Sequence, residues 1–353
     1  MLVYLANIFF IIFWKYVLLN GKYSENSKKQ YCTIIAFQWI VISGLRDWSV
    51  GADTFAYSNS FERVKGSSWA KLSKDLWGYI FRGVDIKDPG YGIVQKTFQI
   101  FSGNYQIFLI FIAVLFTGLM ARFIYKYSTD PCLSFLLYST LFYSFFAITG
   151  LRQTIATAIV VFVGYELIKR RKLVLFIALV LLMSLIHKSA VAILPLYWLY
   201  KLKNNSVTVW IWWIPIGLSF IFRNNLLKIL QLIVGYESYE QYEGAGATTF
   251  TLLLLAVAFV CSLFYKNIPK SNTETINVSL NALYMSCFFS SLLLINQSTM
   301  RVVQYYSIFL LVLLPEIIHI FADERSKNIF RFVISSILIL LLINNAPSYS
   351  FCF

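Results

Sequence analysis

Asn104–Ile124, NYQIFLIFIAVLFTGLMARFI, carries one charged residue, Arg122, and that at its far end. At about 1.5 Å of rise per residue such a run matches the roughly 30 Å hydrocarbon core of a bilayer. Water is absent from that core, so a crossing segment satisfies its own backbone, and only helices or closed barrels can do so. A barrel would show alternating segments of about ten residues, whereas the apolar runs here are roughly twice that length. Working outward from Asn104–Ile124, the pattern predicts an all-α polytopic membrane protein of about 12 transmembrane helices. They are placed at 1–19, 31–45, 104–124, 131–149, 152–168, 172–187, 189–201, 207–222, 248–265, 276–295, 301–320 and 328–345. The run 172–201 also reads as one long helix kinked near His187.

Composition agrees with lipid as the solvent. Of 353 residues 59% are apolar and 13% charged, against about 25% charged in soluble domains. Aromatics reach 18%, as expected of helix contacts and interfacial belts. The net charge of +14 does not indicate nucleic-acid binding, because Lys and Arg are dispersed in short clusters with no basic face or arm. Cys32, Cys132, Cys261, Cys287 and Cys352 lack C-x-x-C spacing, and His187 and His319 are far apart in sequence, so no metal site or cofactor is expected. The N-terminus is apolar from its first residue without a basic n-region, and reads as a retained helix.

The cations fix an expected orientation. Lys22, Lys28 and Lys29, Arg122 and Lys126, Lys169–Lys172, Lys201 and Lys203, Lys266 and Lys270, and Arg325, Lys327 and Arg331 fall in alternate connections. By the positive-inside rule that side is cytoplasmic, which puts both termini outside, in the periplasm of a bacterial inner membrane. The chain is expected to form a single integral domain over 1–353. Its large outer segment would be 46–103, and 223–247 a second outer loop.

The outer side holds unusual residues. Segment 46–103 contains Arg46, Asp47, Asp53, Glu62, Arg63, Asp85 and Asp88 beside Trp48, Trp69 and Trp77, and Gly235–Gly244 (GYESYEQYEG) is acidic and aromatic. Acceptors beside flat rings suit sugars, although any outer loop is polar with interfacial aromatics. Arg152 and Arg301 are more telling, each standing at the outer, N-terminal end of a predicted span. A cation there is unfavourable by about 0.3–1 kcal/mol, so an anion is expected nearby. Free N–H groups and a guanidinium fork together suit phosphate. Arg46 and His187-Lys188-Ser189 stand at the same level. A polyprenyl diphosphate, with its tail in the bilayer and its sugar among the outer loops, fits this pattern. Snorkelling, or pairing with Asp47 or Asp53, is the plainer alternative.

These residues also carry a family resemblance. Gly44-Leu45-Arg46, Gly51-Ala52-Asp53-Thr54, Tyr57 and Phe61 resemble the opening signature of the EpsG-type branch of the Wzy polysaccharide polymerases. Asp88-Pro89-Gly90-Tyr91, Leu151-Arg152-Gln153 with Ile155-Ala156, His187-Lys188-Ser189-Ala190, and Arg301 with Tyr305 are similar to its later elements, in the right order. Ala52 departs from the small polar residue expected there. The resemblance implies a GT-C-like membrane glycosyltransferase that uses undecaprenyl-diphosphate oligosaccharides as donor and acceptor. Its products would be O-antigen, capsule or exopolysaccharide. A flippase and a chain-length regulator are the protein partners such an enzyme implies, with membrane lipids around it and no nucleic acid.

For that chemistry, Arg46, Arg152, Lys188 and Arg301 are expected to hold the leaving diphosphate, with His187 in support. Asp53 is the expected general base, unless it serves only to cap a helix. Asp88 and Glu243 are reserves, with Tyr91 and Tyr305 as further sugar contacts. A lipid-linked oligosaccharide flippase, a membrane O-acyltransferase and an O-antigen ligase remain the competing readings.

Overall fold

The computed structural model describes residues 1–19, 24–234, 248–268, 273–321 and 323–353. Among them the chain is helical, and the one strand-like feature is an isolated bridge between Arg46 and Phe351. Helices α1 (Leu2–Leu19) and α2 (Glu25–Gly44) are followed by three shorter ones, α3 (Thr54–Lys65), α4 (Trp69–Arg82) and α5 (Pro89–Phe98), and then by α6 (Tyr105–Tyr127). Segment 46–103 therefore holds three packed helices rather than an open loop. Two of the three start for a local reason. The Ser68 hydroxyl accepts from the Lys71 amide at the start of α4, and Pro89 opens α5 at a position where its missing N–H is not needed.

The middle of the chain is helical but broken. Helix α7 (Pro131–Leu137) continues through two π-helical stretches, Tyr138–Phe142 and Ser144–Thr149. Gly150 then ends the run, where a Cβ would lie 2.6 Å from the Phe145 ring. That break lets α8 (Leu151–Thr157) begin afresh, with Arg152 in its first turn, before another π stretch and α9 (Gly164–Lys169). Helix α10 (Leu173–Ser184) is separated from a 3-10 helix (Lys188–Ile193) and α11 (Leu196–Leu199) by a turn at 185–187, so 172–201 is two segments, not one kinked rod. The chain continues through α12 (Thr208–Ile211), α13 (Trp213–Ile221), α14 (Arg223–Val234), α15 (Thr248–Leu263), α16 (Thr273–Ser290), α17 (Met300–Ser307), α18 (Leu310–Ile317) and α19 (Glu324–Asn345).

Helix thus occupies each of the twelve predicted segments, yet fewer qualify as crossings. Among the described residues, five helices are long and apolar enough to span a membrane, or six if the pair Gln297–Ser307 and Leu310–Ile320, bent by 58°, counts as one. Five further apolar helices of 10–17 residues fall short of that length, and one of them, Pro131–Phe142, stops where the π-helical stretch Ser144–Thr149 carries the apolar run on. Within the bundle, Thr273–Leu294 is 89% buried and α19 11%, which makes the former central and the latter peripheral. Outward faces are apolar, as with Phe9 and Phe13 on α1 and Phe332 and Leu340 on α19. With lipid on the outside, helices associate through packing and buried hydrogen bonds. The Trp39 indole N–H donates to Ser139 Oγ at 3.1 Å, and Asn281 Nδ2 donates to the Leu199 carbonyl at 2.8 Å. Gly44 lets α2 approach α6 closely, since a Cβ there would lie 3.0 Å from Ile110 Cα.

Charge sorts the bundle into two ends. At one end lie the pairs Lys126–Glu166 (2.6 Å), Lys169–Glu274 (4.0 Å) and Arg331–Asp130 (3.0 Å). The opposite end carries both termini: the Asp47 amide donates to the Ser350 carbonyl, the Cys352 amide to the Leu45 carbonyl, and the rings of Tyr4 and Tyr349 touch. Lys22 and Lys270 lie outside the described residues.

Candidate active site

Asp88 organises the end that carries the termini. Its backbone is left-handed (φ 50°, ψ 56°), a conformation Asp tolerates better than most residues. The turn is held against the 185–187 turn, where the Gly90 amide donates to the Leu185 carbonyl at 2.9 Å. A Cβ on Gly90 would sit 2.8 Å from that oxygen, so the contact requires glycine. Docked in this way, Asp88 Oδ1 accepts from the Lys188 amide at 3.2 Å and Oδ2 from Arg152 NH1 at 2.7 Å. His187 Nδ1 lies 3.5 Å from the same Oδ2, beyond hydrogen-bond distance. Burial opposes ionisation of Asp88, but the His187 ring, the Arg152 guanidinium and the Lys188 amide together hold its carboxyl below the usual range. Burial has the opposite consequence for His187 and lowers its affinity for a proton, with the Asp88 charge only partly countering and Arg301 and Arg152 adding to it.

Beside this hub opens a cavity of about 480 Å³. Its charged lining comprises Asp53, Asp75 and Asp88 on one hand and Arg63, Lys87, Arg152 and Arg301 on the other, with Tyr57 and Tyr91 supplying rings. The Arg152 guanidinium lies 5.4 Å from the centre of the Tyr57 ring and 6.0 Å from that of Tyr91, a stacking that fixes its plane. Its buried Nε has no hydrogen-bond partner among the described residues. Asp53 takes the N-cap position of α3 but makes no capping hydrogen bond. The capping explanation of that residue therefore fails, and its half-buried carboxylate belongs to the cavity wall. Gly51 (φ 103°) makes the turn before it, packed so close to the Ile148 carbonyl that a Cβ would approach to 2.7 Å.

The family model that matches this chain is that of the EpsG family, over residues 29–352. The chain belongs to the EpsG family. EpsG is a Wzy-like polymerase family, and the assignment covers nearly the whole chain. No curated protein and no solved structure matches it.

Most of the elements that carry the EpsG resemblance meet in space. Asp88-Pro89-Gly90-Tyr91 and His187-Lys188 dock on each other and on Arg152 as described above. Gln153 Nε2 donates to the Arg301 carbonyl at 2.8 Å, joining α8 to α17. Ser189 Oγ lies 3.4 Å from the Tyr305 hydroxyl, joining the 3-10 helix to α17. Arg152, Arg301, Asp53, Asp88 and Tyr91 thus share one cavity. His187 and Tyr305 are buried behind it rather than on its wall, and the Lys188 side chain lines a neighbouring groove. Glu243 lies outside the described residues.

Arg46 departs from expectation. It is fully buried and does not line the cavity. Its NH1 donates to the Ser43 carbonyl, while Nε and NH2 have no hydrogen-bond partner among the described residues. The C-terminal tail closes over it, with Phe351 paired to its backbone and the Tyr349 hydroxyl donating to the Ile42 carbonyl at 2.7 Å. The reason is topological: α2 ends at Gly44, so Arg46 enters the turn beneath the tail instead of the mouth of the cavity. The anion that satisfies Arg152 is likewise Asp88, not Asp47 or Asp53. Asp75 and Lys87 on the wall carried no sequence signal beyond polarity. Tyr57 did, standing one helical turn after Asp53 on the same face of α3.

Proposed function

We propose that this EpsG-family protein is a membrane glycosyltransferase that joins undecaprenyl-diphosphate-linked oligosaccharide repeat units into O-antigen or a related surface polysaccharide. The reaction would take place at the face opposite the basic end, the periplasmic face of a bacterial inner membrane. The reading includes a GT-C-like arrangement of about twelve helical segments, the shorter ones completing the bundle, with both termini periplasmic. A flippase and a chain-length regulator are its natural partners. One observation carries it above all: Arg152 and Arg301 share a cavity with an uncapped carboxylate, Asp53, at the end of the bundle where a lipid headgroup would lie.

In the proposed reaction an acceptor hydroxyl attacks the anomeric carbon of the donor. A new C–O bond forms as the anomeric C–O bond to diphosphate breaks, and the bonding pair leaves with the phosphate oxygen. Negative charge grows on that oxygen, and guanidinium donors fixed in place beforehand stabilise it. Arg152 and Arg301 fill this role. The hydroxyl proton passes to the Asp53 carboxylate, a general base. Asp88, already ion-paired, is less suited to accept a proton and instead positions Arg152 and the His187 turn. A transporter would be expected to hold its ionisable groups near the bilayer midplane, whereas these gather at one end. The test replaces Asp53 by Asn and Arg152 by Ala, verifies membrane levels, and resolves surface-glycan length on a gel. Loss of the ladder to single-repeat capping supports the reading, and a full-length ladder from both variants refutes it.

A further inference from the structure

A second concavity, of about 710 Å³, lies beside the Asp88 hub, between the C-terminal end of α4 and the outer end of α10. Ile80 and Val84 line one side and Leu181, Leu182 and Leu185 the other, with Lys188 and Asp85 as its charged residues. The apolar walls are not shielded by protein: Leu181 is 53% exposed, Leu182 56%, and Ile80 and Val84 46% each. Along α10 the outward positions Val174, Ala178 and Leu181 recur at helical spacing and lead up to this groove, where half-buried Leu185 follows in the turn. Trp77 and Phe81, also exposed, give α4 an aromatic edge suited to the headgroup layer.

The groove and the polar cavity share a wall. Leu185, on the groove, accepts the Gly90 amide, and Lys188, whose side chain lines the groove, donates its own amide to Asp88 on the cavity. A ligand anionic at one end and branched apolar at the other would match both in sequence. We propose that the groove between α4 and α10 holds the first isoprene units of a polyprenyl diphosphate, with Lys188 at the crossing from tail to headgroup and the rest of the chain along the outer stripe of α10. This rests on the reading of the adjoining cavity as a diphosphate site.

The test uses full-length protein in phosphatidylcholine nanodiscs, with undecaprenyl diphosphate and inorganic pyrophosphate as probes. Leu181→Trp and Val84→Trp fill the groove. Both variants should bind the lipid about tenfold weaker, because a Trp in the groove removes the packing contacts of the first isoprene units, and pyrophosphate as the native protein does. Arg152→Ala should weaken both probes. If the Trp variants bind the lipid normally while Arg152→Ala does not, the groove assignment is wrong and the diphosphate site stands. If the native protein binds neither probe, the diphosphate reading fails and this inference with it. Displacement of the polyprenyl diphosphate by an equal concentration of phosphatidylglycerol would also overturn the proposal, marking a general phospholipid groove. Should the Trp variants misfold, Leu181→Cys in a Cys352→Ser background, which removes the exposed cysteine, can carry an environment-sensitive fluorophore. A blue shift with the lipid but not with pyrophosphate is expected, and no shift with the lipid refutes the assignment.

Discussion

Arg46 and Arg152 stand at the same end of the bundle, each two residues after a glycine, and the fold surrounds them differently. Arg46 is sealed by the C-terminal tail, donates to a backbone carbonyl of its own helix end and sees no carboxylate at ion-pair distance among the described residues. Arg152 stacks on Tyr57, pairs with Asp88 and opens onto a cavity. A cation at the membrane rim is one sequence signal, but it covers two physical tasks. What separates them is whether a guanidinium face remains open to a ligand, and that depends on which loop covers it.

The strongest way to break this comparison is at the cavity. With purified protein and lipid-linked repeat units, Asp53→Asn should slow polymer formation by about 10²–10⁴-fold, the usual contribution of a positioned base. Its melting temperature should be unchanged, because the carboxylate makes no capping bond. Arg152→Lys should follow, at about 10²–10³-fold. It keeps a positive charge for Asp88 but loses the planar fork and its stacking, so a Lys variant of near-native rate would remove the guanidinium from the mechanism.

How much of this was legible beforehand follows the same division. The all-helical membrane character was plain, because runs such as Asn104–Ile124 have few other uses. The number of crossings was not, because segments such as 189–201 and 207–222 are apolar but too short for length and composition to decide. Arg152 and Arg301 could be singled out as charges in costly places, and Asp53, with Asp88 in reserve, by the family resemblance. Their grouping in one cavity depends on contacts between residues far apart in sequence, such as Gln153 with Arg301. The central place of Asp88 depended on a left-handed turn and on Gly90 meeting Leu185, which no periodicity reports. Arg46 misled because nothing in its neighbourhood announces that a tail some 300 residues later covers it.

Arg46 is where the comparison is sharpened rather than broken. Arg46→Ala should destabilise the protein by about 1–3 kcal/mol through the lost bond and packing under the tail, read as a lower melting temperature in detergent. Polymer formed per folded molecule should stay within about threefold of native, since the residue does not reach the cavity. A loss per folded molecule as large as that of Arg152→Lys would return Arg46 to the active site.

The smallest effect concerns the pH dependence of the Asp88 hub. Burial holds His187 below its ordinary value of 6.5 in the folded chain, so an unfolded chain takes up a proton there first. Stability should then decline as pH falls through 6.5 toward the lower folded value. Asp88, held below 3.8 by its partners, acts in the same direction but later: its contribution is present above 3.8 and is lost as pH drops through its folded value. Neither group should matter above neutrality, where both states carry neutral His187 and ionised Asp88. Melting temperature followed from pH 7.5 to 5 should therefore fall by an amount that His187→Gln reduces, a difference of about 2 °C. Arg46→Ala should leave that slope unchanged, because Arg46 is not among the groups that act on His187 or Asp88. If instead Arg46→Ala flattened the profile and His187→Gln did not, the acid-sensitive corner of the molecule would be the one beneath the tail.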